Sequence, residues 1–474
     1  MVFSSPIFLF AFLPVIFCLY YIFPTNISIK NGLLIIGSLL FYAFGEPVYV
    51  FLMIGSAGVN YLFGRLLGKE NLAGAHSLFF RKILLCLAVI LNIGVLCVFK
   101  YSGFIMAGIY QIFHVAAPVP QIALPVGISF FTFQALSYVI DVYRDGKTEQ
   151  KNFLKLLLYI SFFPQLIAGP IIRYHDISKQ MEERSINVEK IMFGMQRFTK
   201  GLSKKLFLAN TLGYIADTVF SLDITSYHLL VAWLGAISYT LQIYYDFSGY
   251  SDMAIGLAAM FGFEFKENFE HPYSACGIKD FWRKWHISLS AWFREYVYIP
   301  LGGNRTEKWK TERNKIIVFL LTGIWHGANW TFVIWGMIHG IANILEDTFW
   351  SVKKCEAKVI RNIYTWLIVI VAFVMFRADT VTNGFMMMKA MFLNVTMNRA
   401  SVSLLKEQMN PYNLTMLGIA FLFSYPISRK VKQKFKDQEK GYNFVLWGGS
   451  LCLLLLCMLN LASTSYNPFI YFRF

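Results

Sequence analysis

A chain of 474 residues that is 57% hydrophobic and only 15% charged is too apolar to be an ordinary soluble domain. Its formal charge of +16, from 43 Lys plus Arg against 27 Asp plus Glu, would raise nucleic-acid binding in a soluble protein. Here the basic residues fall in short segments between apolar runs, so membrane anchoring comes first and no nucleic-acid partner is expected.

The first apolar run, residues 5 to 23, lacks a basic leader and a small-residue cleavage site and is followed at once by another span. It therefore reads as a retained membrane helix and not as a removable signal peptide. Stretches long enough to cross or nearly cross a bilayer recur at 83 to 98, 153 to 169, 229 to 245, 316 to 338, 358 to 375, 411 to 425 and 444 to 461. Counting shorter and broken segments, these predict an all-α polytopic membrane protein with roughly 11 to 13 membrane helices. Basic clusters at Arg65 to Lys82, Arg144 to Lys151, Arg197 to Lys205, Arg305 to Lys315 and Arg429 to Lys440 belong mainly on the cytoplasmic side. Seven scattered cysteines without metal-ligand spacing read as small core hydrophobes. With no linker, low-complexity tract or repeat, residues 1–474 form one membrane domain in this reading. Polar and charged residues interrupt the apolar pattern in the middle of the chain, which places the chemistry in a core at about 120–350.

Four constellations stand out in chain order. Gln242 to Asp252 (Gln-Ile-Tyr-Tyr-Asp-Phe-Ser-Gly-Tyr-Ser-Asp) puts two carboxylates, Asp246 and Asp252, beside Gly249 between apolar runs, as in a broken helix. Such a break serves either as a hydrogen-bonded structural kink or as polar support for a site. Asp280 to Tyr296 predicts an amphipathic helix with Trp282, Trp285, Leu289, Trp292 and Tyr296 on one stripe and Arg283, His286, Ser290 and Arg294 on another. This is either an interfacial helix with its belt at the headgroups or the cationic wall of a cavity that takes phosphates.

Thr322 to Trp330 (Thr-Gly-Ile-Trp-His-Gly-Ala-Asn-Trp) places Thr322, His326 and Asn329 on one helical face. Gly323 and Gly327 allow a neighbouring helix to approach closely, and Gly336 and Gly340 repeat that spacing. An ionisable residue in a membrane segment is costly and usually functional, and a histidine there is a candidate general base. The last constellation is the aromatic tail Asn467-Pro-Phe-Ile-Tyr-Phe-Arg-Phe474, carried by the span at 444 to 461 to the side opposite the Arg429 cluster, so that 462–474 is extracytoplasmic. There is no Walker A sequence, dinucleotide fingerprint, HExxH or GxSxG. His286 and His326 lack carboxylate-rich neighbours, so no metal is expected.

Met1-Val-Phe-Ser-Ser5, Tyr245 to Gly256, Phe281 to Ser290, Tyr298-Ile-Pro-Leu-Gly-Gly-Asn-Arg305 and Thr322 to Trp330 together resemble the membrane-bound O-acyltransferase (MBOAT) family, in its alginate and peptidoglycan O-acetyltransferase branch. The resemblance implies a helical bundle with re-entrant segments, thinned into a central funnel where donor and acceptor meet from opposite faces. It implies that His326 is the catalytic histidine and His286 the second one, with Asn329, Asp246 and Asp252 supporting the site. The donor is then acetyl-CoA, its phosphates near Arg283, Lys284 and Arg305. The tail makes Tyr471 a hypothetical acyl carrier. The final acceptor is a polysaccharide such as an alginate-like polymer or peptidoglycan, reached through a secreted or anchored SGNH-type partner at a bacterial cytoplasmic membrane. Glu270-His271 and Ala275-Cys276-Gly277 depart from the family pattern just before the tryptophan helix. The alternatives are a transporter or channel that uses the intramembrane His and Asp residues, and a family member that acylates a lipid or protein.

Overall fold

The computed structural model describes the chain apart from residues 24–25, 69–74, 115–116, 120–121, 224–227, 350–356, 428–438, 464–465, 469 and 471–474. Among the described residues all regular structure is helical. This follows from the solvent: in lipid a backbone must satisfy its own hydrogen bonds, and a helix does so within one segment. Tyr49–Gly68, Leu78–Phe113, Lys358–Arg377 and Phe444–Ser463 are long and apolar enough to cross a bilayer, and Phe8–Ile22, Ile27–Ala43 and Pro411–Phe423 are shorter apolar helices. Only 6% of Phe444–Ser463 is buried, with Val445 69% and Leu459 66% exposed, as expected where the surrounding medium is itself apolar. The same applies to Cys18, Cys86 and Cys452, which are exposed and not core residues, while Cys457 is buried. Cys355 and most of the Arg429 to Lys440 cluster lie outside the described residues.

Contacts divide the chain into two compact units, Met1–Phe198 with Met253–Lys266, and Thr199–Asp252 with Glu267–Phe474. In the first unit the N-terminal Met-Val-Phe-Ser-Ser packs inward: Phe3 is fully buried against Phe8 and Phe41, at ring-centroid distances of 5.0 and 5.7 Å. Tyr49–Gly68 and Ala75–Phe113 are joined by reciprocal buried amides of Asn60 and Asn92 at 3.0 and 2.8 Å, the polar contact that holds helices together where apolar burial gives no preference. The apolar stretch at 153 to 169 is not a single span. It forms Phe153–Ser161 and Phe163–Leu166, broken at Phe162, because Pro164 sits in the first turn of the second piece and cannot continue the first. Residues Leu156 to Ile172 are buried throughout, so this segment is an internal one.

The second unit is organised around two apolar clusters, an aromatic one centred on Tyr245, Phe281, Trp285, Trp335 and Phe373 and an aliphatic one on Val231, Ile370 and Met387. Leu229–Met260 is one continuous helix of 32 residues, so the break expected near Gly249 is absent. The carboxylates there are neutralised from the side, by lysines described below, and need no exposed backbone. Gly249 serves close approach instead, since a Cβ there would lie 2.8 Å from the carbonyl oxygen of Gly201. Lys204 and Lys205, expected in a cytoplasmic basic loop, begin a π-helical segment, Lys204–Ala209, and Lys205 is only 2% exposed.

Candidate active site

His326 is the last residue of the helix Lys308–His326. The apolar stretch at 316 to 338 folds as a tight hairpin and not as one span, because Gly327 is extended and Asn329 starts the next helix, Trp330–Phe349, by accepting the Thr331 N–H at 3.1 Å. Thr322 and His326 therefore share a face, but Asn329 does not. Its Nδ2 donates instead to the Asp379 carbonyl at 2.9 Å. The glycine spacing works as expected: a Cβ on Gly323 would run into the Phe332 carbonyl, and one on Gly336 into the Phe319 carbonyl, so the two arms meet backbone to backbone.

The His326 ring, 8% exposed, stands edge-on to Trp335 and Phe376, each at 5.1 Å. With Ile243, Phe247, Trp285, Phe373 and Ile470 these side chains enclose a cavity of about 10 Å³. A second cavity, of about 330 Å³, is lined from the same helix by Lys315, Val318, Phe319 and Thr322, with Lys279, Trp282, Arg283 and Arg294 among the other walls. A third, of about 550 Å³, is lined by Asn329, Thr331 and Phe332, just beyond His326 in the chain, with Asp217, Phe376 and Arg377. The histidine thus stands on the hairpin between a cationic cavity and a mixed polar one.

The tryptophan helix expected over 280–296 is interrupted. Ile278–Lys284 and Ile287–Phe293 are separated at Trp285 and His286, and His286 adopts a left-handed φ of 41°. Asn268 enforces the break, because its carbonyl accepts the Ile287 N–H at 2.9 Å and its side-chain Oδ1 accepts the Ser288 N–H at 3.1 Å. All five residues of the Trp stripe are nonetheless buried, which rules out a belt at the headgroups.

Asn268 also sets the histidine's tautomer. The Ser288 N–H can bond only to an oxygen, which fixes the amide orientation, so His286 Nδ1–H donates to Oδ1 at 3.2 Å and Nε2 carries the lone pair. That Nε2 is buried without a hydrogen-bond partner among the described residues.

Sequence reasoning passed over two further groups on the second arm. Trp335, 1% exposed, has a buried indole N–H with no acceptor among the described residues. His339, fully buried four residues later, accepts the Trp282 indole N–H at Nδ1, 3.3 Å away, so its Nε2 holds the proton and is likewise without a partner among the described residues. Leaving such donors unmet costs about 1–3 kcal/mol each, so each is a candidate to meet a water or a ligand group. The repeated Gly336 and Gly340 spacing was the available signal.

Of the cations expected at a phosphate site, Arg283 lines the larger cationic cavity, whereas Lys284 pairs with Asp280 at 2.9 Å and Arg305 is exposed on a turn away from it. Lys279 and Lys315 take their place, both paired with the single carboxylate of Asp347. Burial pushes the Lys279 ammonium below its ordinary pKa. The unexpected Ala275-Cys276-Gly277 has a local reason. Glu346 accepts the N–H groups of Ile278 and Lys279 at the helix start, and a Cβ on Gly277, at φ +145°, would crowd its carboxylate.

Asp246 supports the tail, and neither it nor Asp252 lies at a break of the helix. Asp246 pairs with Lys205 at 2.7 Å and accepts the Ile470 N–H at 2.9 Å, and Asp252 pairs with Lys204 at 2.7 Å. Lys205 donates to the Pro468 carbonyl and Asn210 to the Tyr466 carbonyl at 3.2 Å. The tail is thus held by its backbone and delivers Ile470 to the His326 cavity, while Tyr471 lies outside the described residues. The candidate-site residues run from Lys204 to Ile470.

Residues 128–388 match the membrane-bound O-acyltransferase family. Over its full length the chain is 37% identical to a "Probable alginate O-acetylase AlgI" of Azotobacter vinelandii, covering all of both proteins. The chain belongs to the MBOAT family. It is an acyltransferase and a polytopic membrane protein. It is also 34% identical to a peptidoglycan O-acetyltransferase of Helicobacter pylori, over all of this chain and 98% of that one. A teichoic acid D-alanyltransferase of Bacillus subtilis is 31% identical over 52% of this acyltransferase and 64% of its own length.

Proposed function

We propose that this acyltransferase is an O-acetyltransferase that takes an acetyl group from acetyl-CoA at the cytoplasmic face and passes it to an extracytoplasmic acceptor. Its end product is an O-acetylated cell-surface or secreted polysaccharide, alginate-like or peptidoglycan. The reading rests on one observation: His326 stands on a hairpin whose preceding turns line a cationic cavity and whose following residues line a polar one. The names of the full-length relatives support acetyl and polysaccharide as the group and the final acceptor. The chain works in the bacterial cytoplasmic membrane, and it has no GxSxG elbow with which to esterify a polymer itself, so a separate SGNH-type partner completes the transfer.

In this mechanism Arg283, Arg294 and the Lys279–Lys315 pair draw the donor's phosphates to the cationic cavity, and the thioester reaches the aromatic box around His326. His286, with its Nε2 lone pair, accepts from a donor of the acceptor other than the reacting hydroxyl and so orients it, leaving the hydroxyl proton to His326. His326 removes the hydroxyl proton as the oxygen attacks the thioester carbon, and returns it to the sulfur as the C–S bond breaks. The Trp335 indole N–H stabilises the oxyanion in surroundings whose low dielectric strengthens the bond. Tyr471, one residue beyond Ile470, is the acyl carrier on the outer side.

The test is transfer from radiolabelled acetyl-CoA by purified protein in nanodiscs, following thioester cleavage and label retained on the protein. His326→Ala lowers turnover by about 10²–10⁴-fold, and Trp335→Phe lowers kcat by about 10²–10³-fold at unchanged donor KM. Tyr471→Phe cleaves donor but retains no label. Wild-type turnover in His326→Ala removes His326 as the general base and assigns that role to another residue.

A further inference from the structure

Lys30 and Arg184 form an unneutralised cationic pair in the first unit. Lys30 lies in the first turn of the helix Ile27–Ala43 and is only 5% exposed. Its Nζ stands 4.9 Å from the ring centre of Tyr20 and 5.7 Å from that of Tyr21. The Arg184 guanidinium is 5.8 Å from the same Tyr20 ring and stacks at 4.4 Å on Phe263. Its Nε donates to Tyr20 Oη at 3.0 Å and its Nη1 to Asn31 Oδ1 at 2.8 Å, which hold it beside the lysine, while its Nη2 is buried and without a partner among the described residues.

Neither cation makes an ion pair among the described residues, and Glu182, two residues before Arg184, is engaged by Lys155 at 2.9 Å. Buried charges are ordinarily paired, and two like charges on one ring repel as well as lose hydration. Tyrosine faces offset part of this cost, but they supply no countercharge. A third partner, an anion, completes the arrangement.

The surroundings identify its carrier. The residues flanking the pair along the chain are apolar and outward-facing: Ile22 is 66%, Phe23 44% and Ile29 47% exposed. The N-terminus of Ile27–Ala43, capped by Asn26 Oδ1 accepting the Ser28 and Ile29 N–H groups, adds a partial positive charge at the same end. A phosphate with hydrocarbon attached satisfies both features, whereas a free phosphate satisfies only the first.

We infer that Lys30 and Arg184 form a binding site for the phosphate headgroup of an anionic glycerophospholipid. The site is independent of the acyl-transfer chemistry, so its test does not depend on that reading. Delipidated wild-type protein and Lys30→Met in neutral detergent are titrated with phosphatidylglycerol, phosphatidylcholine or inorganic phosphate, reading the melting temperature and retained lipid by native mass spectrometry. Phosphatidylglycerol stabilises the wild type and is retained as one tight copy, while phosphatidylcholine, whose choline offsets the phosphate, acts far more weakly. Lys30→Met folds and needs about tenfold more phosphatidylglycerol for the same shift, as expected for one lost charge-assisted bond. Equal stabilisation of wild type and Lys30→Met overturns the site. Equal stabilisation by inorganic phosphate overturns the lipid as its source, and a Lys30→Arg variant that restores tight retention separates loss of charge from loss of packing.

Discussion

Lys205 in one unit and Lys30 in the other are comparably buried, at 2% and 5% exposure, yet the chain treats them differently. Lys205 meets the carboxylate of Asp246 at 2.7 Å and a tail carbonyl, and its neighbour Lys204 meets Asp252 at 2.7 Å. Among the described residues Lys30 meets the faces of Tyr20 and Tyr21 and no carboxylate, and it shares Tyr20 with a second cation. Lys279 and Lys315 are an intermediate case, two ammonium groups on one carboxylate at the wall of the cationic cavity. The difference follows what each charge is for. The cation that holds the chain's own tail is neutralised internally, and the cations proposed to face a ligand are left wholly or partly unmatched.

The largest effect comes from making the first kind of lysine resemble the second. Asp246→Ala leaves Lys205 buried and without its carboxylate and frees the Ile470 N–H, and is expected to destabilise the protein by about 3–5 kcal/mol, read as a fall in melting temperature in detergent. Lys205→Met combined with Asp246→Leu restores much of that stability without restoring transfer, because the tail then loses its anchor. A double variant as active as wild type would show that the pair serves stability alone.

A smaller effect is expected at the intermediate pair. In the proposed donor site Lys279 meets phosphate only when protonated, and burial lowers its pKa, so donor affinity is expected to be full below that pKa and lost as pH rises through it. The donor KM should therefore climb several-fold in the alkaline range, before ordinary lysines titrate, and Lys279→Arg should flatten the profile, since arginine does not deprotonate. An unchanged profile in the variant would assign the titration elsewhere. The smallest effect is at Lys30: in neutral detergent without anionic lipid, Lys30→Met should change stability by no more than about 0.5 kcal/mol, because no countercharge is orphaned. A loss as large as that of Asp246→Ala would mean that an internal partner exists and would erase the contrast.

Much of the site was legible as residues and little of it as geometry. The glycine spacing around His326 announced a close helix pair, and the pairing of Gly323 with Gly336 is what the hairpin uses. Arg283 was found because its stripe of charge was visible at helical period, whereas Lys284 and Arg305 were included by proximity in sequence and face elsewhere. Trp335 and His339 escaped because an unsatisfied N–H is a property of surroundings that no spacing reveals.

By itself the sequence determined the solvent, the all-helical class and the family, and it singled out the histidines that the proposed mechanism uses, because each depends on composition or on residue types at short range. Only the tertiary structure decided that the 280–296 helix breaks at His286, that the Leu229–Met260 helix does not break at Gly249, and that Asp246 holds the tail. In each case the deciding partner is remote in the chain: Asn268 competes for backbone N–H groups, and Lys204 and Lys205 supply charge that would otherwise have to come from water. Hydrogen bonds and ion pairs of this kind are fixed by distance in space, which local periodicity does not encode.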